Sequence, residues 1–227
     1  DADEVELVVP VVSEVLERAG ITRQDLGFVC SGSCDYLIGR PFSFVSGLDA
    51  VGAWPPLRES HVEMDGAWAL YEAWVRLLHG DIDTALVYAF GRSSLGDVSD
   101  VLGQQLDPYN VAPLWPDADG LAALQARALL DSGRATELDM ARIAAARDGS
   151  DPQALLSRPY SSAPLRSHDV APPADGAVAV LLATGDRARA LCKRPAWITG
   201  IDHRIEAHGL GDRDLTTSTS TRLAAQK

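Results

Sequence analysis

Two stretches of the chain repeat the same order, a helical pattern followed by a short apolar run, and this order restricts the fold to the α/β class. Residues 4–19 place apolar side chains at helical spacing, and an apolar run follows at 28–30. Residues 66–79 repeat the helical pattern, and a second apolar run covers 84–90. Short continuous apolar runs are typical of strands buried on both faces, so a parallel sheet with right-handed crossovers is predicted.

The rest of the chain continues this alternation less regularly. The further predicted elements are helices at 118–130, 138–147 and 187–191 and strands at 177–183 and 196–205. Two long segments without periodicity, 91–117 and 148–173, lie between them. Loops of this length usually serve a function or an interface.

Charge and cysteine content exclude several classes of protein. Acidic side chains number 32 and basic ones 20, which gives a net charge of −12 and disfavours nucleic acid and anionic membrane surfaces as partners. No apolar run approaches the roughly 20 residues that span a bilayer, and three of the first four residues are acidic where a signal peptide is basic. Three cysteines do not suggest a disulfide framework, so a cytoplasmic location is expected.

The common cofactor motifs are absent from the sequence. It contains no phosphate loop, no dinucleotide-binding glycine motif, no H-E-x-x-H and no C-x-x-C. Residues 91–96 follow a predicted strand but fit a turn better than a nucleophile elbow. Cys30 and Cys34 fit two small buried residues better than a redox or metal pair. Neither a metal nor a separate cofactor is expected.

Three polar residues before the second predicted helix are the candidate catalytic group. His61, Glu63 and Asp65 precede a helix whose amino terminus carries partial positive charge. In one interpretation Asp65 is only the N-cap of helix 66–79. In the other, Glu63 or Asp65 lies partly buried between helix and sheet, has a raised pKa and acts as a general acid or base with His61 as its partner. Both interpretations remain open at this level.

Four segments together resemble a known superfamily. Gly80-Asp81 between a helix and an apolar strand, and the Asp-Gly-Ala strand at 174–182, resemble the thiolase superfamily. Segments 60–71 and 210–216 resemble, within it, the thiolase-like lipid-transfer proteins of the sterol carrier protein x type. The resemblance implies a thiolase-like fold, with α/β/α layers and a mostly parallel sheet, that handles acyl-CoA thioesters.

The resemblance also implies a division of the chain and a departure from the family. Residues 1–195 resemble the N-terminal thiolase domain and residues 196–227 the start of the C-terminal one, so the chain looks trimmed at both ends. The reactive cysteine of a thiolase would fall near Glu63, and no cysteine lies between Cys34 and Cys192. An acyl-enzyme on cysteine is therefore not expected.

Two functions are consistent with this resemblance. The first is carbon–carbon bond chemistry of the retro-aldol or acyltransferase type on acyl-CoA thioesters in lipid or steroid catabolism, since relatives without the cysteine resemble retro-aldolases. The alternative is a catalytically silent subunit that binds a lipid or a partner. The resemblance implies a homodimer, paired at the sheet edge near 84–90, or a hetero-oligomer with a partner that has an OB-fold and a zinc ribbon.

We also predict from the apolar content of helix 66–79 that this helix is buried on nearly all sides.

Overall fold

A computed structural model describes residues 2–52, 57–63 and 65–227. The chain forms two compact units, one of residues up to Asp97 with Pro173–Ile198, the other of Val98–Pro172 with Thr199–Lys227. Met64, which belongs to the family-like segment 60–71, lies outside the described residues, as does Asp1. The boundary at residue 195 between thiolase-like domains stays a prediction.

The secondary structure follows the predicted alternation closely. The helices are α1 Glu4–Ala19, α2 Asp35–Ile38, α3 Ser43–Val51, α4 Gly66–His79, α5 Val98–Gln104, α6 Ala118–Asp131, α7 Glu137–Asp148, α8 Pro152–Leu155, α9 Gly185–Leu191 and α10 Thr219–Ala224. The strands are β1 Phe28–Ser33, β2 Glu59–Glu63, β3 Thr84–Arg92, β4 Tyr160–Ser162, β5 Leu165–Arg166 and β6 Asp175–Ala183. The predicted helices 4–19 and 66–79 are confirmed at both ends.

The first unit is built on a mostly parallel sheet, as predicted. Its strand order is β2-β1-β3-β6, and β1 runs parallel to both β2 and β3. The last strand, β6, is antiparallel to β3 over its whole length, so the expectation of parallel strands is wrong there. An antiparallel edge strand on an otherwise parallel sheet is common, and an apolar run gives no information on strand direction.

Helices cover both faces of this sheet and give it α/β/α layers. Alternate residues of a strand point to opposite faces. Val29 of β1 and Leu86 and Tyr88 of β3 pack in one apolar cluster with residues of α1 and α3. The neighbouring Phe28 and Cys30 pack in a second cluster with Ala69 and Ala73 of α4, and with Ala85 and Val87 of β3.

Helix α4 lies close to the sheet because a glycine on each side of the contact leaves room for the other element. A Cβ atom on Gly32 would lie 2.5 Å from the carbonyl oxygen of Asp65, and one on Gly66 would lie 2.7 Å from the Cβ of Ala89. Any side chain at Gly32 would push the amino terminus of α4 off β1. This contact determines how closely α4 approaches the sheet near the carboxyl end of β2.

Three expectations about this unit are wrong. Helix α4 is not buried on nearly all sides, because only Ala69 and Ala73 are fully buried, and Ala67, Leu78 and His79 are exposed. Segment 84–90 is not a sheet edge, because β3 lies between β1 and β6. Strand β1 also continues through Ser31-Gly32-Ser33, beyond the apolar run at 28–30 from which the strand was predicted.

The second unit differs from the sequence-based interpretation mainly in its loops. Helix α5 lies within 91–117, and α8 and the β4–β5 hairpin lie within 148–173, so neither segment is wholly irregular. The strand predicted at 196–205 is absent from these fully described residues. Its apolar residues, three of them consecutive at 196–198, pair with no neighbouring strand, and β-propensity depends on such neighbours. No helix among the described residues is long and apolar enough to span a membrane.

Candidate functional site

The predicted catalytic residues His61 and Glu63 lie at the carboxyl end of β2, beside the carboxyl end of the parallel strand β1. In the β1–β2 register, Ser31 pairs with His61, and Ser33 pairs with Glu63. The carboxyl ends of parallel strands are the usual position of ligand sites in α/β sheets. The structure thus places two of the three candidates at a favourable edge.

A continuous chain of hydrogen bonds links the sheet interior to the surface. The Ser31 Oγ atom lies 2.9 Å from His61 Nδ1, and His61 Nε2 lies 3.2 Å from Glu63 Oε2. Ser31 is buried, the His61 side chain is 14% exposed and the Glu63 side chain is 40% exposed. One tautomer satisfies both contacts, with Nε2–H donating to the carboxylate and Nδ1 accepting from the serine hydroxyl.

Asp35, which the sequence analysis did not identify, connects this series of hydrogen bonds to the helices α2 and α3. Its backbone N–H donates to Glu63 Oε1 at 2.6 Å. Its carboxylate accepts from the Phe42 N–H at 2.5 Å and from the Ser43 N–H and Oγ at 3.0 and 2.6 Å. Burial raises the pKa of Asp35, but the hydrogen bonds from Ser43 and Phe42 outweigh it, and the pKa lies below its ordinary value. The ionised Asp35 therefore connects β2 to α3 through its hydrogen bonds.

Aromatic side chains form the walls around the exposed carboxylate. The Phe44 ring stacks on the His61 ring, with centroids 4.5 Å apart and planes 16° apart. Phe42 meets Phe44 edge to face at 6.4 Å. These residues line an open pocket of about 610 Å³, together with Asp35, Tyr36, Gly39, Arg40, Pro41 and Glu63. The pocket combines an apolar wall with one oriented carboxylate, the usual character of a small-molecule site.

An ion pair with a buried glutamate positions the arginine in this pocket. Glu4, in the first turn of α1, is 2% exposed and lies 2.5 Å from Arg40 and 3.6 Å from Arg92. Arg40 also donates to the Ser46 hydroxyl at 3.2 Å. Because the Glu4 carboxylate is buried, it favours pairing with Arg40, whose side chain is 48% exposed at the pocket.

Asp65 has the structural role that the sequence left open. Its carboxylate accepts from the N–H groups of Ala67 and Trp68 at 2.9 and 3.0 Å and caps α4. Asp65 and Glu63 are both exposed, so the expectation that they are partly buried between helix and sheet is wrong. Glu63 is the last residue of β2 and Asp65 is the N-cap of α4, and their carboxylates accept hydrogen bonds from different groups. The catalytic roles assigned to His61, Glu63 and Asp65 stay predictions.

One feature of the sequence pointed toward the residues that we missed. Ser31, Ser33 and Asp35 are polar residues at the end of a buried strand, where ligand sites of α/β sheets usually lie.

The neighbouring Cys30 is buried, and burial, together with Glu72 and Glu59, raises the pKa of its thiol to about 12. Among the described residues, no group of three or more His, Cys, Asp and Glu side chains is arranged to hold a metal ion.

The geometry favours proton transfer by Glu63. Two donors, the Asp35 N–H and His61, hold its two oxygens, and 40% of the side chain faces solvent in the pocket. A general base needs a fixed orientation and access to the proton that it removes. Ser31 is buried and His61 is 14% exposed, and their hydrogen bonds orient the carboxylate.

Comparisons with known proteins show the fold but no family. No protein-family model matches the chain, and no curated protein sequence matches it. The chain is similar in structure to a solved Ltp2-ChsH2(DUF35) aldolase, with a TM-score of 0.69 and 19% sequence identity. The match covers 96% of this chain and 59% of that one, so the chain spans somewhat more than half the length of the aldolase chain.

Proposed function

We propose that this chain is part of a thiolase-like aldolase that cleaves or forms a carbon–carbon bond in acyl-CoA thioesters of lipid or steroid catabolism. The observation that carries the proposal is the oriented carboxylate of Glu63 at the base of an aromatic pocket. The structural similarity to an aldolase supports the same reaction class. No cysteine occurs between Cys34 and Cys192, which argues against the cysteine route of a thiolase.

In the proposed reaction Glu63 removes the proton of the substrate β-hydroxyl group. The bond between the α and β carbons breaks, its electron pair moves to the thioester as an enolate, and the β carbon becomes a carbonyl. The enolate then takes a proton at the α carbon from the protonated Glu63. His61 donates to the Glu63 carboxylate throughout and holds it in position. No bond to the enzyme forms, and atoms and charge balance without a cofactor.

The pocket walls suit the apolar acyl part of such a substrate. Phe42, Phe44 and Tyr36 supply flat apolar surface, and Arg40 is the positively charged side chain among the pocket residues. We propose that the acyl group lies against the aromatic rings and that Arg40 attracts the electron-rich thioester end. Coenzyme A is then part of the substrate.

One observation favours the alternative, a silent subunit that binds a lipid or a partner. Tyr36 and Phe42 at the pocket are largely exposed, and exposed aromatic side chains are common where another molecule binds. In this version the protein acts as a homodimer or with a partner of the OB-fold and zinc-ribbon type. A cytoplasmic location is part of both proposals.

In the experiment, the intact protein is given a β-hydroxyacyl-CoA as substrate and, separately, acetoacetyl-CoA plus free CoA. Each assay is run with the protein alone and with its partner present. We expect cleavage of the first substrate, with an aldehyde or ketone as product, and no thiolysis of the second. Thiolysis at ordinary enzyme rates, on the order of 10 per second, would contradict the absence of a cysteine nucleophile. Turnover of neither substrate, with retained binding of the acyl-CoA, would favour the silent subunit.

A further inference from the structure

Three large apolar side chains within seven residues of the second unit are among the most exposed in the chain. Tyr109 is 86% exposed, Leu114 78% and Trp115 86%. We call these three residues the 109–115 patch. Single exposed apolar residues are normal, but a group that includes two aromatic rings is typical of a binding surface.

Backbone hydrogen bonds hold the patch in a defined shape. The N–H groups of Val111 and Ala112 both donate to the carbonyl of Asp107, at 3.2 and 2.9 Å. The Trp115 N–H donates to the carbonyl of Ala112 at 2.9 Å. Trp115 has a φ of +50°, a left-handed conformation that is uncommon for a bulky residue. The indole is thus presented by a folded turn, and little ordering is needed when it binds.

The segment that carries the patch is acidic. Residues 98–126 contain Asp100, Asp107, Asp117 and Asp119 and no lysine, arginine or histidine. Asp117 accepts from the Gly120 N–H, and Asp119 accepts from the Ser161 hydroxyl, so these hydrogen-bond donors are neutral groups. Asp107 differs from these two aspartates in that it lines a cavity with two basic residues, His208 and Arg213. The acidic character around the patch therefore rests mainly on Asp117 and Asp119.

This charge decides between the molecules that an exposed aromatic patch can bind. A second copy in a symmetric contact would bring the same carboxylates face to face. Phosphate groups of an anionic membrane would be repelled as well. A different protein with lysine or arginine side chains around an apolar depression would meet both the rings and the carboxylates.

We propose that the 109–115 patch binds a second, different protein that presents an apolar pocket surrounded by basic side chains. Trp115 is the central anchor, with Leu114 beside it, and Asp117 and Asp119 meet the basic rim. The proposal does not depend on the enzymatic function and uses no residue of the pocket at Glu63.

The first step of the test identifies the partner. A photo-crosslinking amino acid replaces Trp115 in the intact protein within the cells that produce it. A matched control carries it at Ile143, which is 75% exposed on α7 of the same unit. We expect one protein with a basic surface to cross-link at position 115 and not at 143. Cross-links equal at both positions, or from the chain to itself, would overturn the proposal.

The second step measures binding with the purified partner. We expect Trp115→Ala to weaken binding on the order of 30-fold or more, as for a buried aromatic anchor, and Ile143→Ala to change it less than about twofold. Asp119→Asn and a rise in salt concentration should each weaken it further. Circular dichroism should show unchanged melting for both alanine variants, because both side chains are exposed. Binding that is insensitive to Trp115→Ala and to salt, or preferential binding to phosphatidylcholine vesicles, would contradict a basic protein partner.

Discussion

The Nδ1 atom of His61 lies 2.9 Å from the hydroxyl oxygen of Ser31, a buried residue on the neighbouring parallel strand. This contact fixes the imidazole so that its other nitrogen faces Glu63. With Phe44 stacked on one face, the ring has little freedom to turn. The sheet register therefore controls the orientation of the exposed carboxylate through a single side chain.

We expect Glu63→Gln to lower carbon–carbon cleavage by on the order of 100- to 10,000-fold, because the amide cannot accept a proton from the substrate. The matched control is Glu59→Gln, an exposed glutamate on the same face of the same strand. The measurement is kcat for a β-hydroxyacyl-CoA, with folding checked by circular dichroism. Equal activity losses in both variants would assign the effect to the strand and not to the base.

We expect Asp65→Ala to lower the free energy of unfolding by about 1 kcal/mol, because the cap of α4 is lost. Asp65→Asn should keep most of this stability, since an asparagine oxygen also accepts from the first N–H groups of a helix. Urea denaturation of the intact protein measures both. If Asp65→Asn is as stable as the native protein but loses catalysis, Asp65 is a catalytic residue and not only a cap.

The close contact of α4 with β1 predicts a sensitive position at Gly32. We expect Gly32→Ala to destabilise the protein by about 1–3 kcal/mol, because the new Cβ meets the backbone of Asp65 and Gly66, which cannot move aside cheaply. The control is Gly91→Ala on β3, where a Cβ has open space, with an expected change within about 0.5 kcal/mol. Equal unfolding midpoints for the two variants would show that α4 does not lie against Gly32.

The pKa of Asp35 leads to an expected pH dependence of stability. Its folded-state pKa lies below the ordinary value of 3.8, so the ionised carboxylate contributes stability that is fully present above that value and is lost as pH falls through the folded pKa. We expect Asp35→Asn to lower stability at pH 7 by roughly 1–3 kcal/mol and to reduce the loss between neutral pH and acid. Urea denaturation from pH 7 to pH 3 measures this, and parallel curves for both proteins would contradict it.

The elements with strong periodicity were predictable from the sequence, and contacts between them were not. Helices 4–19 and 66–79 have both an apolar stripe and clear end signals, Asp3 and Gly20 for the first and Asp65 and Gly80 for the second. The antiparallel direction of β6 depends on the direction in which the chain re-enters the sheet after residues 98–172. Nothing within residues 175–183 encodes that direction.

The candidate site was predictable only in part, for a related reason. His61 and Glu63 are two residues apart on one strand, so their proximity follows from a strand period of two. Ser31 and Asp35 approach them from 28 to 30 residues away through the β1–β2 register. A register of two parallel strands depends on the whole sheet, and local spacing does not reveal it.

The three cysteines should react at very different rates, and this tests the absence of a thiolate nucleophile on the strand. Burial, with Glu72 and Glu59 nearby, raises the pKa of Cys30 to about 12, so only about one molecule in 10,000 carries its thiolate at pH 8. Cys192 is exposed and Cys34 is half-buried. We expect iodoacetamide at pH 8 to modify Cys192 first, Cys34 more slowly and Cys30 only in urea, with Cys192→Ser removing the fast reaction. Peptide mapping by mass spectrometry assigns each site, and rapid modification of Cys30 in the folded protein would mean that β1 is open to solvent and that a cysteine route is again possible.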